Sequence, residues 1–345
     1  DITQKFSLIS GCFSRDSNIN KLSGNFFKLP REMIYKNLDQ MIENVGTELD
    51  AMIILTPTNQ HFDNIKKIMH NKIPIISEKS LVTSMKEINE LKKLRNNSKS
   101  FLVITYNYTG YPMIREIQDF IKRGCLGNIF NFLIEMPQDS FIRLNKNNNK
   151  INIKKWRLKK YKIPMIFYDL GMHVHSLIEF LLNAQIKKVL CKTNRFGNFK
   201  TIDDNVHCLI ELKNKSIGNI WFSKSALGFN NGLKIRIFGQ KGSIEWYQEN
   251  PDQFWFCDRY GRRNLINQSS AELNISNQKR YQRFKPGHPS GFLEAFANYY
   301  DDIADSLSRK KKLSTFSLGL DTAEDGIKFV ESAFSSSKIN KWVKL

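Results

Sequence analysis

Short apolar runs alternate with segments of helical spacing through the first third of this chain. The apolar runs are Asp50–Leu55, Ile73–Ser77 and Phe101–Tyr106. After each run, apolar residues recur three or four positions apart, over residues 60–71, 85–94 and 113–123. Strands that alternate with helices at this spacing form βαβ units, whose strands are parallel. The sequence therefore predicts an α/β protein with a doubly wound parallel sheet.

Two earlier segments extend the same pattern. Residues 6–13 alternate between apolar and small side chains and are predicted to form a strand. The segment Ser14-Arg15-Asp16 ends that strand. Leu38–Val45 has the spacing of a short amphipathic helix and is followed by Gly46.

From residue 128 onward the pattern changes to successive strand-like runs. Asn128–Met136 is the first, and after a helical segment the others follow at residues 187–193, 205–212, 217–225, 232–238 and 243–248. Hairpin-type turn signals such as Gly239–Gly242 join them, which indicates a large, open and mostly antiparallel sheet. Helices are predicted over residues 292–307 and 321–335.

The length of 345 residues favours two domains. We expect the parallel sheet in residues 1–126 and an α+β domain in residues 127–345. The C-terminal tail is predicted to pack back on the first domain. The outer face of the antiparallel sheet is a candidate surface for a homodimer or homotetramer.

Polar residues follow successive strands of the predicted parallel sheet. They are Ser14 and Arg15, Thr56, Glu78 and Lys79, and Asn107 and Tyr108. Ligands of doubly wound sheets bind beyond the carboxyl ends of the strands, which is where these residues fall. At the second strand of a dinucleotide-binding sheet, an acidic residue binds the ribose 2′-hydroxyl and an Arg favours a 2′-phosphate. Ser14-Arg15 therefore favours NADP weakly, because Asp16 is adjacent.

The segment Asp169–Leu182 is apolar for longer than an average strand and is predicted to be a helix. In an α-helix, Asp169 and His173 would lie one turn apart on the same face. A carboxylate beside an imidazole orients the ring, and such a pair is a plausible general base for a hydroxyl group. The alternative is that Asp169 caps the helix and His173 is an ordinary core residue.

Composition excludes several other classes of protein. The formal net charge is +20, but Lys and Arg are spread through a chain rich in Lys, Asn and Ile, so we predict no nucleic-acid partner. No apolar run is long enough to span a membrane, and no membrane partner is expected. The five cysteines form no CxxC pair and share no metal-ligand spacing with the histidines. We therefore expect reduced thiols, no metal site and a cytoplasmic location.

One element of a dinucleotide-binding fold is missing from the sequence. No G-x-G-x-x-G, whose backbone amides would bind a pyrophosphate, occurs in the 345 residues. The chain starts with Asp1 and with what looks like the end of a first helix. We expect that the first strand and its glycine loop are lacking, either through truncation or through a real loss.

Three motifs in order resemble the Gfo/Idh/MocA family, the glucose–fructose oxidoreductase and inositol dehydrogenase-like enzymes. The family's T-P-N-x-x-H is matched by Thr56–His61, its E-K-P by Glu78–Ser80 and its D-x-x-x-H by Asp169–His173. The chain departs from the family at Thr58, where the family has Asn, and at Ser80, where it has Pro. Further segments resemble a levoglucosan dehydrogenase-like subgroup; they are residues 106–112, 246–251 and 287–298.

The resemblance covers essentially the whole chain and implies an NAD- or NADP-dependent oxidoreductase of a sugar or polyol, with a Rossmann-like first domain. It implies that His173 accepts the hydroxyl proton, that Lys79 hydrogen-bonds the reacting oxygen and that Asp169 orients this catalytic group. The cofactor would be lined by Ser14, Arg15, Thr56, Pro57, Thr58, His61, Glu78, Lys79, Asn107, Trp156 and Arg157. The substrate would contact Lys79, Tyr108, Gln138, Asp169 and His173.

Two other functions remain open at this point. Without the glycine loop, the chain is also compatible with a non-catalytic descendant, such as a sugar-sensing or scaffold protein that lost its cofactor site. A basic nucleic-acid binder is motivated by net charge alone. The sequence names neither the sugar nor the carbon that reacts.

Overall fold

A computed structural model describes residues 5–159, 161–308 and 312–345 of the chain. These residues form two compact units. The first unit contains the described residues of Asp1–Thr105 and Tyr299–Ala323, and the second contains Tyr106–Asn298 and Glu324–Leu345. The first boundary therefore falls earlier than the predicted position at residue 126. The reason is that the helix after Thr105 packs within the second unit, where Gln118 Nε2 donates to Phe180 O at 2.6 Å.

The first unit contains a three-stranded parallel sheet, which confirms the predicted sheet type. Its strands are β1 (Met52–Ile54), β2 (Ile75–Glu78) and β3 (Leu102–Thr105), in the order β1-β2-β3. Its helices are α1 (Ser17–Phe26), α2 (Leu38–Val45), α3 (His61–His70) and α4 (Met85–Ser98). Polar residues cap three of them, since Asp16, Asn37 and Ser84 accept backbone N–H groups of α1, α2 and α4.

The predicted strand over residues 6–13 is wrong. This segment makes a single parallel bridge, between Gly11 and Ile34, and Leu8 and Ile9 are exposed. Alternating apolar residues form a ladder only beside a partner strand, and none runs along this segment in the described part of the chain. Helix α1, whose N-terminus is set by Asp16, was not predicted.

The second unit is built on a nine-stranded sheet, and its mostly antiparallel pairing confirms the prediction. Its strand order is β11-β10-β9-β8-β4-β7-β6-β5-β12, and only β4 and β7 pair in parallel. The strands are β4 (Ile129–Pro137), β5 (Ile186–Asn194), β6 (Asn205–Leu212), β7 (Ile217–Ser223), β8 (Lys234–Gly239), β9 (Gly242–Tyr247), β10 (Gln253–Asp258), β11 (Arg263–Asn267) and β12 (Val343–Lys344). The last three were not predicted.

The remaining helices are α5 (Pro112–Lys122), α6 (Met172–Leu182), α7 (Phe292–Ser308) and α8 (Leu320–Ile339). The segment from Tyr299 to Ala323 belongs to the first unit, where Tyr299 Oη donates to Ile104 O at 2.6 Å. The packing of the C-terminal tail on the first domain stays a prediction. Val343 pairs with Val189 of β5, so the tail extends the large sheet. None of the described helices is both long enough and apolar enough to cross a membrane.

A buried carboxylate on α5 organises the long irregular segment between β11 and α7. Glu116 is fully buried and accepts the backbone N–H groups of Asn274, Ile275 and Ser276 at 3.0, 2.7 and 2.8 Å. Next to it, Arg115 is equally buried and donates from Nη1 to Tyr281 Oη at 2.6 Å. Two consecutive charged residues of one helix therefore hold a segment more than 150 positions away in sequence.

Replacing Glu116 by Gln should destabilise the second unit by about 2–4 kcal/mol, because the amide keeps one acceptor oxygen and leaves buried N–H groups without a charged partner. Thermal and urea unfolding followed by circular dichroism would measure the loss. The same change at the exposed Glu249 serves as the control and should have little effect. Wild-type stability in E116Q would contradict this account of the segment.

Candidate active site

The loops that follow β1 and β2 are tied together by one histidine. His61 is almost completely buried, and its Nε2 lies 2.6 Å from Thr56 O while its Nδ1 lies 2.8 Å from Ser80 O. Burial lowers the pKa of His61, although the contacts with the carbonyl groups act in the opposite direction. The His61 side chain thus points into the protein and fixes the two loops, whereas Thr56 is exposed.

The loop after β2 carries Glu78 and Lys79, both half-buried. Burial raises the pKa of Glu78, and the neighbouring Lys79 opposes that shift. Ser80, which stands where the resembled family has Pro, donates from its hydroxyl to Val82 O at 2.8 Å. A hydrogen bond therefore helps to shape the turn at this position. The strands end level with one another, since Glu78 is in register with Thr105 of β3.

At the start of the first unit, the acidic residue beside Ser14 and Arg15 has a structural role. Asp16 Oδ1 accepts the backbone N–H groups of Asn18 and Ile19 at 2.9 and 3.0 Å and caps α1. Ser14 Oγ accepts from Asp16 N at 3.1 Å, and Arg15 is exposed. Both charged residues are exposed, but the Asp16 carboxylate is engaged in the cap of α1.

In the second unit, Asn107 and Tyr108 lie in a buried 3₁₀ turn, Asn107–Gly110, just after β3. Gly110 is required there, because a Cβ atom at this position would lie 2.0 Å from Ala295 O on α7. Asn298 Nδ2 also donates to Gly110 O at 3.0 Å. The turn is therefore fixed from the side of α7, and the Tyr108 ring packs edge-to-face on His173, with ring centroids 4.8 Å apart.

Asp169 lies in a π-helical turn, Phe167–Gly171, which precedes α6. The regular α-helical spacing predicted for Asp169 and His173 is therefore replaced by a wider turn. Asp169 does not cap a helix, because neither this turn nor α6 has a side-chain cap. Its Oδ2 lies 2.8 Å from Lys224 Nζ and 3.3 Å from Arg157 Nε. The carboxylate thus has two cationic partners.

Arg157 belongs to the basic segment that follows β4. It lies in a short 3₁₀ turn, Lys155–Leu158, and its guanidinium group stacks over the Trp156 ring at 4.7 Å. Tyr161 Oη donates to Trp156 O at 3.1 Å and helps to hold this turn. The predicted pair Trp156-Arg157 therefore reaches Asp169 through Arg157.

A chain of hydrogen bonds runs from Lys224 through three amide side chains to two tyrosines. Lys224 Nζ donates to Gln138 Oε1 at 3.0 Å, and Gln138 Nε2 donates to Asn231 Oδ1 at 3.0 Å. Asn231 Nδ2 donates to Tyr108 Oη at 3.2 Å and to Gln248 Oε1 at 3.1 Å. Gln248 Nε2 donates to Tyr111 Oη at 3.2 Å. We call these six residues the polar array.

Burial raises the pKa of Tyr111 to about 12 and raises that of Tyr108 further. Both phenols therefore keep their protons near neutral pH and can donate or accept hydrogen bonds. The structure brings the predicted residues Tyr108 and Gln138 into one array. The other four members, Lys224, Asn231, Gln248 and Tyr111, were not predicted, although Tyr111 and Gln248 lie in segments that carried the resemblance.

The two histidines of α6 have different surroundings. His175 is buried and stacks on Phe329 of α8, with ring centroids 5.8 Å apart and an interplanar angle of 24°. Its Nδ1 has no hydrogen-bond partner among the described residues. Desolvation lowers the pKa of His175 to about 4, and Asp325 opposes that shift. His175 is thus a neutral core residue, whereas His173 packs against Tyr108 of the polar array.

Comparison with known proteins gives two adjacent family matches. Residues 3–116 match a model described as an oxidoreductase family with an NAD-binding Rossmann fold, and residues 114–245 match the GFO/IDH/MocA C-terminal domain. These matches confirm the predicted family, fold class and nicotinamide-dinucleotide cofactor. Among the described residues, no group of three or more His, Cys, Asp or Glu side chains is arranged to hold a metal ion.

Individual relatives are distant. The uncharacterized oxidoreductase YfiI of Bacillus subtilis is 25% identical over 355 residues, which cover 98% of this chain and 89% of that protein. Levoglucosan dehydrogenase of Pseudarthrobacter phenanthrenivorans is 21% identical, over 60% of this chain and 57% of that protein. An inositol dehydrogenase homolog from Azotobacter vinelandii, crystallised with NADH and myo-inositol, shares the fold, with a TM-score of 0.88, 23% identity and coverage of 99% and 90%.

The pKa of His175 predicts an acid-sensitive stability. The unfolded ring binds a proton near pH 6.5 and the folded ring only near pH 4, so protons favour the unfolded state as the pH falls through this window. The loss should reach about 3 kcal/mol at pH 4. Unfolding midpoints measured from pH 7 to pH 4 should show a shallower decline in H175F than in the wild type. The change H288F, at an exposed histidine, should leave the slope as it is; equal slopes in all three proteins would refute the assignment.

Proposed function

This chain belongs to the Gfo/Idh/MocA family of oxidoreductases, and we propose that it is an NAD(P)-dependent dehydrogenase that oxidises a hydroxyl-bearing carbon of a sugar or polyol. The observation that carries the proposal is the polar array beside Asp169 and His173. A polyol offers several hydroxyl groups, each of which both donates and accepts a hydrogen bond. Amides and protonated phenols have the same dual capacity, so an array of them is matched to such a ligand.

The proposed chemistry assigns the proton to His173. Its imidazole accepts the proton of the reacting hydroxyl group, and Asp169 orients the catalytic group. Lys79 hydrogen-bonds the reacting oxygen and favours its developing negative charge, a role that follows from the family motif rather than from a contact. The bound nicotinamide supplies the acceptor for the hydride. Tyr108 and Gln138 are proposed to bind other hydroxyl groups of the substrate.

The first unit has residues that fit part of the cofactor. Thr56, Pro57, Thr58 and Lys79 follow parallel strands at their carboxyl ends, where dinucleotides bind. The exposed Arg15, beside an Asp16 engaged in capping, favours NADP over NAD. No residue of the printed sequence is assigned to the pyrophosphate, because it contains no G-x-G-x-x-G. Asn107, Trp156 and Arg157 are further proposed contacts.

We also propose that the protein forms a homodimer or homotetramer through the outer face of the nine-stranded sheet. Cross-strand pairs on this face include the half-buried Leu190 with Leu209 and the exposed His207 with the half-buried Trp221. The two aromatic rings stack with an interplanar angle of 6°. A sheet face with apolar and aromatic side chains gains free energy when a second copy covers it.

Light scattering tests the assembly. The wild type should have two or four times the mass of one chain, and L209D should shift it toward the monomer because a carboxylate would be buried in the interface. The change L22D, at an exposed position of α1 in the first unit, is the control. A monomeric wild type, or an unchanged mass in L209D, would count against this surface.

The activity is tested with the full-length protein and a panel of polyols and sugars, each with NAD⁺ and with NADP⁺. Reduced nicotinamide should form with at least one substrate, and faster with NADP⁺. In that assay D169N and H173Q should each lower kcat/KM about 10²–10⁴-fold, because general-base catalysis contributes a factor of this size. The change D50N, at an exposed site in the first unit, should be neutral.

Negative results in these assays would contradict different parts of the proposal. If calorimetry shows no binding of NADH or NADPH and no substrate is oxidised, the proposal fails and the non-catalytic alternative is favoured. If cofactor binds and no sugar reacts, the substrate class is wrong. Equal activity in D169N and the wild type would remove Asp169 from the site.

A further inference from the structure

The π-helical turn that carries Asp169 is held by the end of a single strand. Phe167, at the start of the turn, packs edge-to-face on Phe222 of β7, with ring centroids 5.8 Å apart. Gly171, at the end of the turn, lies so close to the same ring that a Cβ atom would be 3.3 Å from it. Two residues after Phe222, Lys224 contacts the Asp169 carboxylate at 2.8 Å. One strand therefore contacts the beginning, middle and end of this turn.

Lys224 itself is rigidly held. Its backbone N–H donates to Asp204 O at 2.7 Å, and its carbonyl oxygen accepts from Phe141 N at 2.8 Å. Its ammonium group lies 5.7 Å from the centre of the Phe141 ring and donates to Gln138 Oε1. Only 5% of the residue is exposed. A long side chain that is this well enclosed has already lost its rotamer freedom, so it can act as a fixed charge.

We propose that Lys224 is a positioning residue for Asp169: its buried ammonium group keeps this carboxylate ionised and fixes the orientation of Oδ2 from the side of the sheet. This inference rests on the proposed dehydrogenase function for its catalytic consequence. Its electrostatic part, the effect of Lys224 on Asp169, stands independently of any reaction.

The alternative cation, Arg157, is less suited to this task. Its contact with Asp169 is longer, at 3.3 Å against 2.8 Å, and a third of its side chain is exposed, against 6% for Lys224. Solvent screens the more exposed pair, whereas the buried pair interacts through a medium of lower dielectric constant. Groups near this region include His173 of α6 and Tyr108, whose pKa the charge of Asp169 helps to raise.

Lys224 also couples the carboxylate to substrate recognition. The same ammonium group donates to Gln138, the first amide of the polar array. A change in the Asp169–Lys224 pair therefore alters the hydrogen bonds of the array as far as Tyr108. This connection predicts that loss of Lys224 alters both the catalytic step and the binding of substrate hydroxyl groups.

The first experiment measures Asp169 directly, without any reaction. In protein labelled with ¹³C at aspartate carboxyl carbons, the signal lost in D169N identifies Asp169. In K224M this residue should take up its proton at a pH about one unit or more above that of the wild type, because an opposite charge at this distance favours ionisation. In K224R, the pH at which Asp169 takes up its proton should return most of the way to the wild-type value. The matched control is K188M, which removes a 2.8 Å contact with Glu211 elsewhere in the same sheet.

The second experiment uses the pH profile of kcat/KM with whichever substrate the panel identifies. Its acid limb should move to higher pH in K224M and return in K224R, whereas a purely structural role would lower the whole profile evenly. If K224M does not fold, the titration of Asp169 in the wild type tests the proposal. This carboxylate should still be ionised at about pH 3.9, where a free aspartate is half-protonated. An unchanged titration of Asp169 in K224M, or a wild-type Asp169 protonated at that pH, overturns the proposal. If no substrate reacts, the dehydrogenase function fails, and the titration still tests Lys224.

Discussion

The contact between Asp169 and Lys224 is the interaction on which the geometry of the candidate site depends. A π-helical turn is less regular than an α-helix and persists where its surroundings hold it. Here β7 provides those surroundings through Phe222 and Lys224. Because β7 lies between β4 and β6 in the interior of the sheet, the position of Asp169 is set by a strand that is paired on both edges.

Burying this pair has a cost that its environment must offset. A carboxylate and an ammonium group both lose hydration in the interior, and their attraction compensates only with good geometry and further hydrogen bonds. Gln138 and the Phe141 ring supply additional contacts to Lys224. The amides and phenols of the polar array then satisfy one another in sequence. Such a network is sensitive to single changes, because each removal leaves a partner unsatisfied in a low-dielectric region.

Regular periodicity is what made much of the fold predictable. The helix at Leu38–Val45 and the strand at Asn205–Leu212 have the predicted bounds, since each has a regular apolar pattern, and every second residue of the strand from Val206 to Leu212 is buried. The same signal failed over residues 6–13, where the pattern is present but no strand among the described residues runs alongside. Strands β10 to β12 were missed, and only β12, with two residues, is too short to show a pattern. Pairing partners are a tertiary property that local pattern does not encode.

The candidate site was predictable only in part, because local spacing is visible in the sequence and tertiary contacts are not. Asp169 and His173 were found from their spacing, but four-residue spacing does not distinguish a π-helical turn from an α-helical one. Lys224 and Asn231 belong to no local motif. Each is part of the site because the fold brings it within hydrogen-bonding distance of Gln138. Tyr111 and Gln248 were within recognised segments, and only the structure shows that their side chains meet.

Some motif residues of the first unit act by fixing the conformation of the backbone. His61 spans from Thr56 O to Ser80 O and so sets the loops after both β1 and β2. Once one buried ring fixes both loops, the identity of the neighbouring residues matters less. That accounts for how the chain accommodates Thr58 and Ser80 where the resembled family has Asn and Pro, since Ser80 supplies its own hydrogen bond to Val82. Asp16 follows the same logic at the start of the unit, because its carboxylate caps α1 and leaves Arg15 exposed to solvent. In both places a polar side chain acts first on the backbone, and the surface offered to a ligand follows from that shape.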